Sequence, residues 1–199
     1  MSAVLLLSGG IDSAVLLARE RAAQRTPLSV FIDYGQRAAQ REWAAASQQA
    51  QLAGSALTRL DLSQLGNAFR EQREHKLHVP LPHRNLVALA LGVSYAANVG
   101  ATQVLLALNR DDENAYPSAG KSFIGAFRAV AASLGDFDIA TPLVELDKRQ
   151  VVEAGIALGV NFAQTWSCLL GYAMPCRRCS QCRSRAVALQ HFPQTIAVS

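Results

Sequence analysis

A chain of 199 residues, half of them hydrophobic and 17% charged, has the apolar material for one substantial core and too little length for several domains. Its formal charge of +4 is too weak to argue nucleic-acid binding, and four thiolates on one divalent ion would lower it further. No apolar run approaches the roughly 18 residues of a membrane span and no basic leader precedes one, so a cytoplasmic chain without membrane attachment is expected.

The predicted elements alternate along the chain. Val4–Leu7 reads as a short buried strand, broken by Ser8, Gly9, Gly10, Ile11, Asp12 and Ser13 before a helix that runs to about Arg25. Leu28–Asp33 is a second strand, followed by a helix over about Arg37–Leu52 whose many alanines serve helix propensity and packing. Ala56–Leu60 is a third strand. After a polar stretch, Asn85–Asn98 reads as a buried helix, Gln103–Leu108 as a strand and about Ser122–Ser133 as a further helix. Asp147 is placed to cap a last helix that carries Val151, Val152, Ile156 and Leu158 and stops at Gly159. This order, free of internal repeats, predicts an α/β fold with a doubly wound, mainly parallel sheet. Ligands of such sheets sit beyond the carboxyl ends of the strands, which brings Ser8–Ser13, Asp33 with Tyr34, and Asn109–Asp112 to one rim.

The break after the first strand has the makings of a phosphate site. Consecutive glycines let the backbone approach a ligand and expose amide groups as an anion nest, and the helix that follows adds its unpaired NH groups and the positive end of its dipole. Ser8 and Ser13 add hydroxyl donors. The spacing matches neither the Walker loop nor the Rossmann fingerprint. An ordinary strand-to-helix turn is the plain alternative.

All four cysteines fall within fifteen residues, as Cys168, Cys176, Cys179 and Cys182 in a C-x7-C-x2-C-x2-C array. That crowding suits a tetrahedral zinc ion with a closed coordination shell, hence a structural one. Disulfides and an iron-sulfur cluster are the competing readings. Arg177, Arg178, Arg183 and Arg185 read as offsetting the thiolate charge, the alternative being a basic lip for phosphates or nucleic acid.

Ser-Gly-Gly-x-Asp-Ser at Ser8–Ser13 resembles the PP-loop of the ATP pyrophosphatases, which holds the pyrophosphate released when a substrate is adenylated. Tyr34-Gly35-Gln36-Arg37, Arg84-Asn85, Tyr116-Pro117, Lys148 and Thr165-Trp166-Ser167-Cys168 extend the likeness over nearly the whole chain. They are similar to the Tyr-Gly-Gln-Arg, Pro-x-Arg-Asn, Tyr-Pro, late lysine and zinc segments of the 7-cyano-7-deazaguanine synthase (QueC) family. The resemblance implies one PP-loop domain over residues 1–199, including a four-cysteine zinc segment at 163–199. It also implies an ATP-dependent ligase that converts 7-carboxy-7-deazaguanine and ammonia first to the amide and then to the nitrile, with ATP, Mg2+ and structural Zn2+ as cofactors. By this likeness Ser8, Gly9, Gly10, Asp12 and Ser13 hold the phosphates, Asp12 and Ser13 count among the catalytic groups, and Lys148 and Arg84 neutralise charge. Asp33 would touch ribose or adenine. Tyr34, Gln36, Arg37, Asn85, Asp112 and Tyr116 would form the substrate pocket, Asp112 meeting Mg2+ or the base. A homodimer is expected, nucleic acid and membrane are not.

Three departures bear on the substrate half. Ala38 stands where the family usually carries His, Ser118-Ala119-Gly120 where it carries Asp-Cys-Arg, and His83 where Gly precedes Arg-Asn. An alternative is therefore a ligase of the same kind that passes the activated carboxylate to another amine, one on a protein included. A zinc-bearing nucleic-acid module with an inert loop is a third reading.

Overall fold

The computed structural model describes residues 2–70 and 81–192. Its centre is β1 (Ala3–Leu6), in a parallel sheet ordered β3-β2-β1-β4-β5, with β2 at Leu28–Asp33, β3 at Leu57–Asp61, β4 at Gln103–Leu105 and β5 at Asp138–Ala140. Alternation along β1 builds the two cores. Leu5 and Leu7 face the layer of α1 (Ile11–Ala22), α2 (Ala39–Ala53), α7 (Lys148–Ala157) and α8 (Ser180–Leu189), whereas Val4 and Leu6 face α4 (Arg84–Val99) and α6 (Lys121–Leu134). All four leucine and valine side chains are buried.

From β1 the chain winds outward through β2 and β3, then returns to the other side of β1 as β4 and β5. The reversal leaves a crevice between the carboxyl ends of β1 and β4, where doubly wound sheets hold ligands. The sequence expected a longer fourth strand. Only Gln103–Leu105 form strand; Leu106 N still donates to the Ala140 carbonyl at 3.0 Å, and Leu106–Leu108 line the crevice. Three helices also went unread, α3 (Ser63–Arg70), α5 (Arg110–Ala115) and α8.

Asp147 does cap α7. Its carboxylate accepts from Gln150 N at 2.8 Å, and the Gln150 side chain accepts from Asp147 N at 3.0 Å, a reciprocal capping box. α7 packs closely on α1 because Gly155 has no side chain; a Cβ there would lie 2.6 Å from the Phe162 ring and 2.7 Å from Val15. Among the described residues no helix is long and apolar enough to cross a membrane.

Candidate active site

The crevice opens into a cavity of about 580 Å3. Ser8, Gly10, Asp12 and Ser13 form its wall at the end of β1; Tyr34, Gln36, Ala38 and Glu42 that after β2; Arg84, Asn85, Asp112 and Tyr116 face them, with Lys148 beside Asp12.

The loop is shaped by its glycines. Gly9 has φ +77° and its missing Cβ would fall 2.3 Å from the Glu42 carbonyl oxygen, so α2 can sit directly behind the loop. The Gly9 carbonyl accepts from Trp166 N at 2.9 Å and from the Gln49 side chain at 3.0 Å. Gly10 caps α1 without any side-chain acceptor for the first-turn NH groups, in contrast to the side-chain caps of α5 and α7. The Ser8 and Ser13 hydroxyls lie 3.1 Å apart at this mouth. Orphan helix NH groups and two hydroxyls facing a cavity suit an anionic ligand.

Charged groups are bound into one network. The Asp12 carboxylate accepts from Asn109 Nδ2 at 3.1 Å on one oxygen and pairs with the Lys148 ammonium on the other. Asn109 also caps α5, and its own amide donates to Asp112 Oδ2 at 3.1 Å. Burial pushes the Asp112 carboxyl above the usual range; the Asn109 amide pulls it back, the Asp12 charge adds to the rise, and Lys148 and Arg84 oppose it. Arg84 rests its guanidinium 5.1 Å from the centre of the Tyr116 ring. Asn85 Nδ2 donates to the Ser118 carbonyl at 3.0 Å, so it braces the wall rather than pointing a free amide into the cavity. Burial also raises the Tyr34 phenol and the Glu42 carboxyl.

Of the residues singled out from sequence, Ser8, Gly10, Asp12, Ser13, Tyr34, Gln36, Arg84, Asn85, Asp112, Tyr116 and Lys148 share this cavity. Three do not line it. Gly9 backs the loop; Arg37 is exposed; and Asp33 is buried, with one oxygen 2.5 Å from the Arg59 guanidinium and the other accepting from Gly35 N at 2.9 Å. Glu42, Asn109 and Trp166 belong to the site without having been assigned a role in it. For Glu42 the available signal was an acidic residue one turn into a helix whose start is set by the Tyr-Gly-Gln-Arg segment.

The cysteine segment forms the remaining wall. The four sulfurs lie within 4.8 Å of one another and none is in a disulfide. Cys176 and Cys182 Sγ are 3.9 Å apart, close to the roughly 3.8 Å edge of a tetrahedron with metal–sulfur bonds of about 2.3 Å. A four-iron cube, with one iron per thiolate, would hold the sulfurs farther apart. Backbone NH groups of Cys176, Cys179 and Cys182 donate to the sulfurs of Cys168, Cys176 and Cys179 at 3.3, 3.3 and 3.4 Å. The backbone NH groups of Arg178 and then Cys179 pull the Cys176 thiol down, while burial pushes Cys182 up. Donor set and spacing fit one thiophilic ion. Arg185, grouped by sequence with three basic neighbours, acts differently from them: it donates to Thr165 Oγ1 at 2.6 Å, the Phe162 carbonyl at 2.6 Å and Ser167 Oγ at 3.3 Å. Arg177, Arg178 and Arg183 remain exposed.

Comparison with known proteins gives a consistent picture. A family model described as "Queuosine biosynthesis protein QueC" matches residues 2–193. A 7-cyano-7-deazaguanine synthase of Cyanothece sp. is 36% identical, over 98% of this chain and 97% of its own. One from Thiobacillus denitrificans is 35% identical, over 92% and 91%. Among solved structures, NMN synthetase from Francisella tularensis superposes with a TM-score of 0.56 at 16% identity, covering 100% of this chain and 87% of that one. The U34-tRNA thiolase NcsA from Methanococcus maripaludis, with its [4Fe-4S] cluster, reaches 0.60 at 13% identity, covering 100% and 74%. The last two are likenesses of fold.

Proposed function

The chain belongs to the QueC family, and on that premise we propose that it makes 7-cyano-7-deazaguanine from 7-carboxy-7-deazaguanine, ammonia and ATP. The observation that carries this reading is a cavity in which the Ser8–Ser13 loop, Lys148, Arg84 and apolar side chains of the sheet and α4 meet at the crevice of the sheet. Both halves of the reaction activate an oxygen of the substrate by adenylation, first on the carboxylate and then on the amide. Each half expels pyrophosphate and asks the protein for the same service.

In this reading the Gly10 and α1 amides with Ser8 and Ser13 receive the leaving pyrophosphate, aimed where negative charge develops. Lys148, held beside the loop by Asp12, supplies positive charge there, and Asn109 keeps the Asp12 carboxylate from turning away. Arg84 steadies the anionic end of the substrate. Asp12 and Asp112 are the oxygen donors suited to Mg2+, which when bound would offset phosphate charge. The four thiols are suited to zinc in a bracing role, since a full thiolate shell leaves no position for water.

Transfer to a different amine is not favoured. Relatives matched over more than nine-tenths of their length are named for the nitrile-forming synthase. The test is direct: purified protein with 7-carboxy-7-deazaguanine, ATP, Mg2+ and ammonium should yield the nitrile by mass spectrometry. ATP consumption without nitrile would reject the reading.

A further inference from the structure

Glu42 is the carboxyl of the cavity that the pyrophosphate machinery does not use. It sits on the first turn of α2, partly buried and lining the cavity. Its orientation is fixed from one side. Gln36 Nε2 donates to Oε2 at 2.9 Å, and Gln36 is itself held by Tyr34 N on its Oε1 at 2.9 Å and by its Nε2 on the Ile32 carbonyl at 3.3 Å. Among the described residues no donor binds Glu42 Oε1. Nor does an ion pair join Glu42 to Arg84, although the guanidinium lies on the same cavity and within electrostatic reach. A partly desolvated carboxylate with one neutral amide as its partner and its other oxygen lining a cavity is placed to receive a ligand's donors.

The ligand that completes it must bring donors. Resting on the function proposed above, the substrate has two unlike ends: an anionic carboxylate on its five-membered ring and, across the bicycle, an N1–H and a 2-amino group pointing the same way. Such a pair of parallel donors suits a carboxylate, as the two NH groups of a guanidinium do. The adenine edge offers an amino group next to a ring acceptor, which a carboxylate would repel. We propose that Glu42 accepts from the N1–H and 2-amino edge of the deazaguanine ring while Arg84 faces its carboxylate, so that Glu42 selects guanine-type rings.

Calorimetric titration tests this without requiring turnover. Wild-type protein with a non-hydrolysable ATP analogue is titrated with 7-carboxy-7-deazaguanine and with the same acid lacking the 2-amino group; Glu42→Gln and Glu42→Ala are treated alike. The wild type should prefer the amino-bearing ring by roughly 10- to 100-fold, the scale of one charge-assisted bond. Both variants should lose most of that preference, with affinity for the ATP analogue kept within about threefold. Equal preference in variants and wild type, parallel loss of nucleotide affinity, or no binding of the amino-bearing acid by wild type would each overturn the assignment. Should wild type bind it selectively and yet form no nitrile, the proposed activity falls while the Glu42 assignment stands. If Glu42→Ala does not fold, the near-isosteric Glu42→Gln still decides.

Discussion

Gly9 is held by geometry on three sides: a left-handed φ of +77°, a Cβ position 2.3 Å from a backbone oxygen, and a carbonyl that carries Trp166 and Gln49. Gly9→Ala is therefore expected to cost about 2–4 kcal/mol, because the atom it meets belongs to the backbone of α2 and cannot swing aside. Chemical denaturation would measure it, and a loss under about 1 kcal/mol would contradict the packing. Asp12 makes the opposite kind of contribution. Its partners are Lys148 and the buried Asn109 beside the cavity, so Asp12→Ala should cost less stability than Gly9→Ala and reduce turnover at least ~100-fold. Glu42 yields a pH signature. Burial raises its folded-state carboxyl above the unfolded value, so the folded protein holds that proton more tightly than the unfolded chain. Stability from this group is present at acid pH and is lost as pH rises through the folded value. Glu42→Gln should accordingly raise the melting temperature of ligand-free protein at neutral pH, with the gain vanishing below the ordinary carboxylate range. A gain of the same size at every pH would contradict the assigned cause.

At the scale of elements, what the sequence made legible was whatever carries its own local signal. β1 and β2 are apolar runs bounded by turn residues, and α7 has its cap in Asp147 and its stop at Gly159. α8 escaped notice because Ser180–Leu189 has no sustained apolar face; it starts at Cys179, whose sulfur accepts from Cys182 N, and so depends on the thiol cluster rather than on periodicity. α5 spans six residues and is defined by the Asn109 and Asp112 capping box. Three-residue β5 is made by pairing with β4, a non-local fact. The site followed the same rule. Its loop residues were legible from spacing, while the turning of Asp33 to Arg59 depends on the β2–β3 register, which places the two strands side by side. His83, standing before α4 with φ +49°, occupies a conformation that glycine would take without strain, which accounts for the departure being felt in the backbone. Arg185 makes α8 a working element: through it the helix grips Thr165, Ser167 and the Phe162 carbonyl. Arg185→Met keeps the stem and removes the donors, and should cost about 2 kcal/mol while weakening nucleotide binding. Stability lost with nucleotide affinity intact would show that the grip does not reach the loop.

Over the whole molecule, the end of the chain completes what its beginning starts. Trp166 donates to the Gly9 carbonyl, its indole donates to the Cys168 carbonyl at 2.7 Å, and Gly171 lies so close to the Arg37 carbonyl that a Cβ would be 2.1 Å from it. The four-thiol segment thus ties together two walls of the cavity, the Ser8–Ser13 loop and the segment entering α2. Its sulfurs have no comparable hold on the sheet, whose β1, β2 and β4 are buried in the two leucine and valine cores. Metal binding at such a centre contributes folding free energy to the segment it closes. If the four thiols hold the zinc proposed for them, a chelator should therefore act locally first. Hydrogen exchange should rise over 163–192 while the β1, β2 and β4 amides stay protected, and affinity for a non-hydrolysable ATP analogue should fall by roughly tenfold or more as the loop loses its Trp166 contact. Readdition of zinc should restore both. Unchanged nucleotide affinity in metal-free protein would mean that the phosphate loop holds its shape alone. Simultaneous exchange of β1 and β2 would mean that the metal supports the entire fold rather than one wall of its active site.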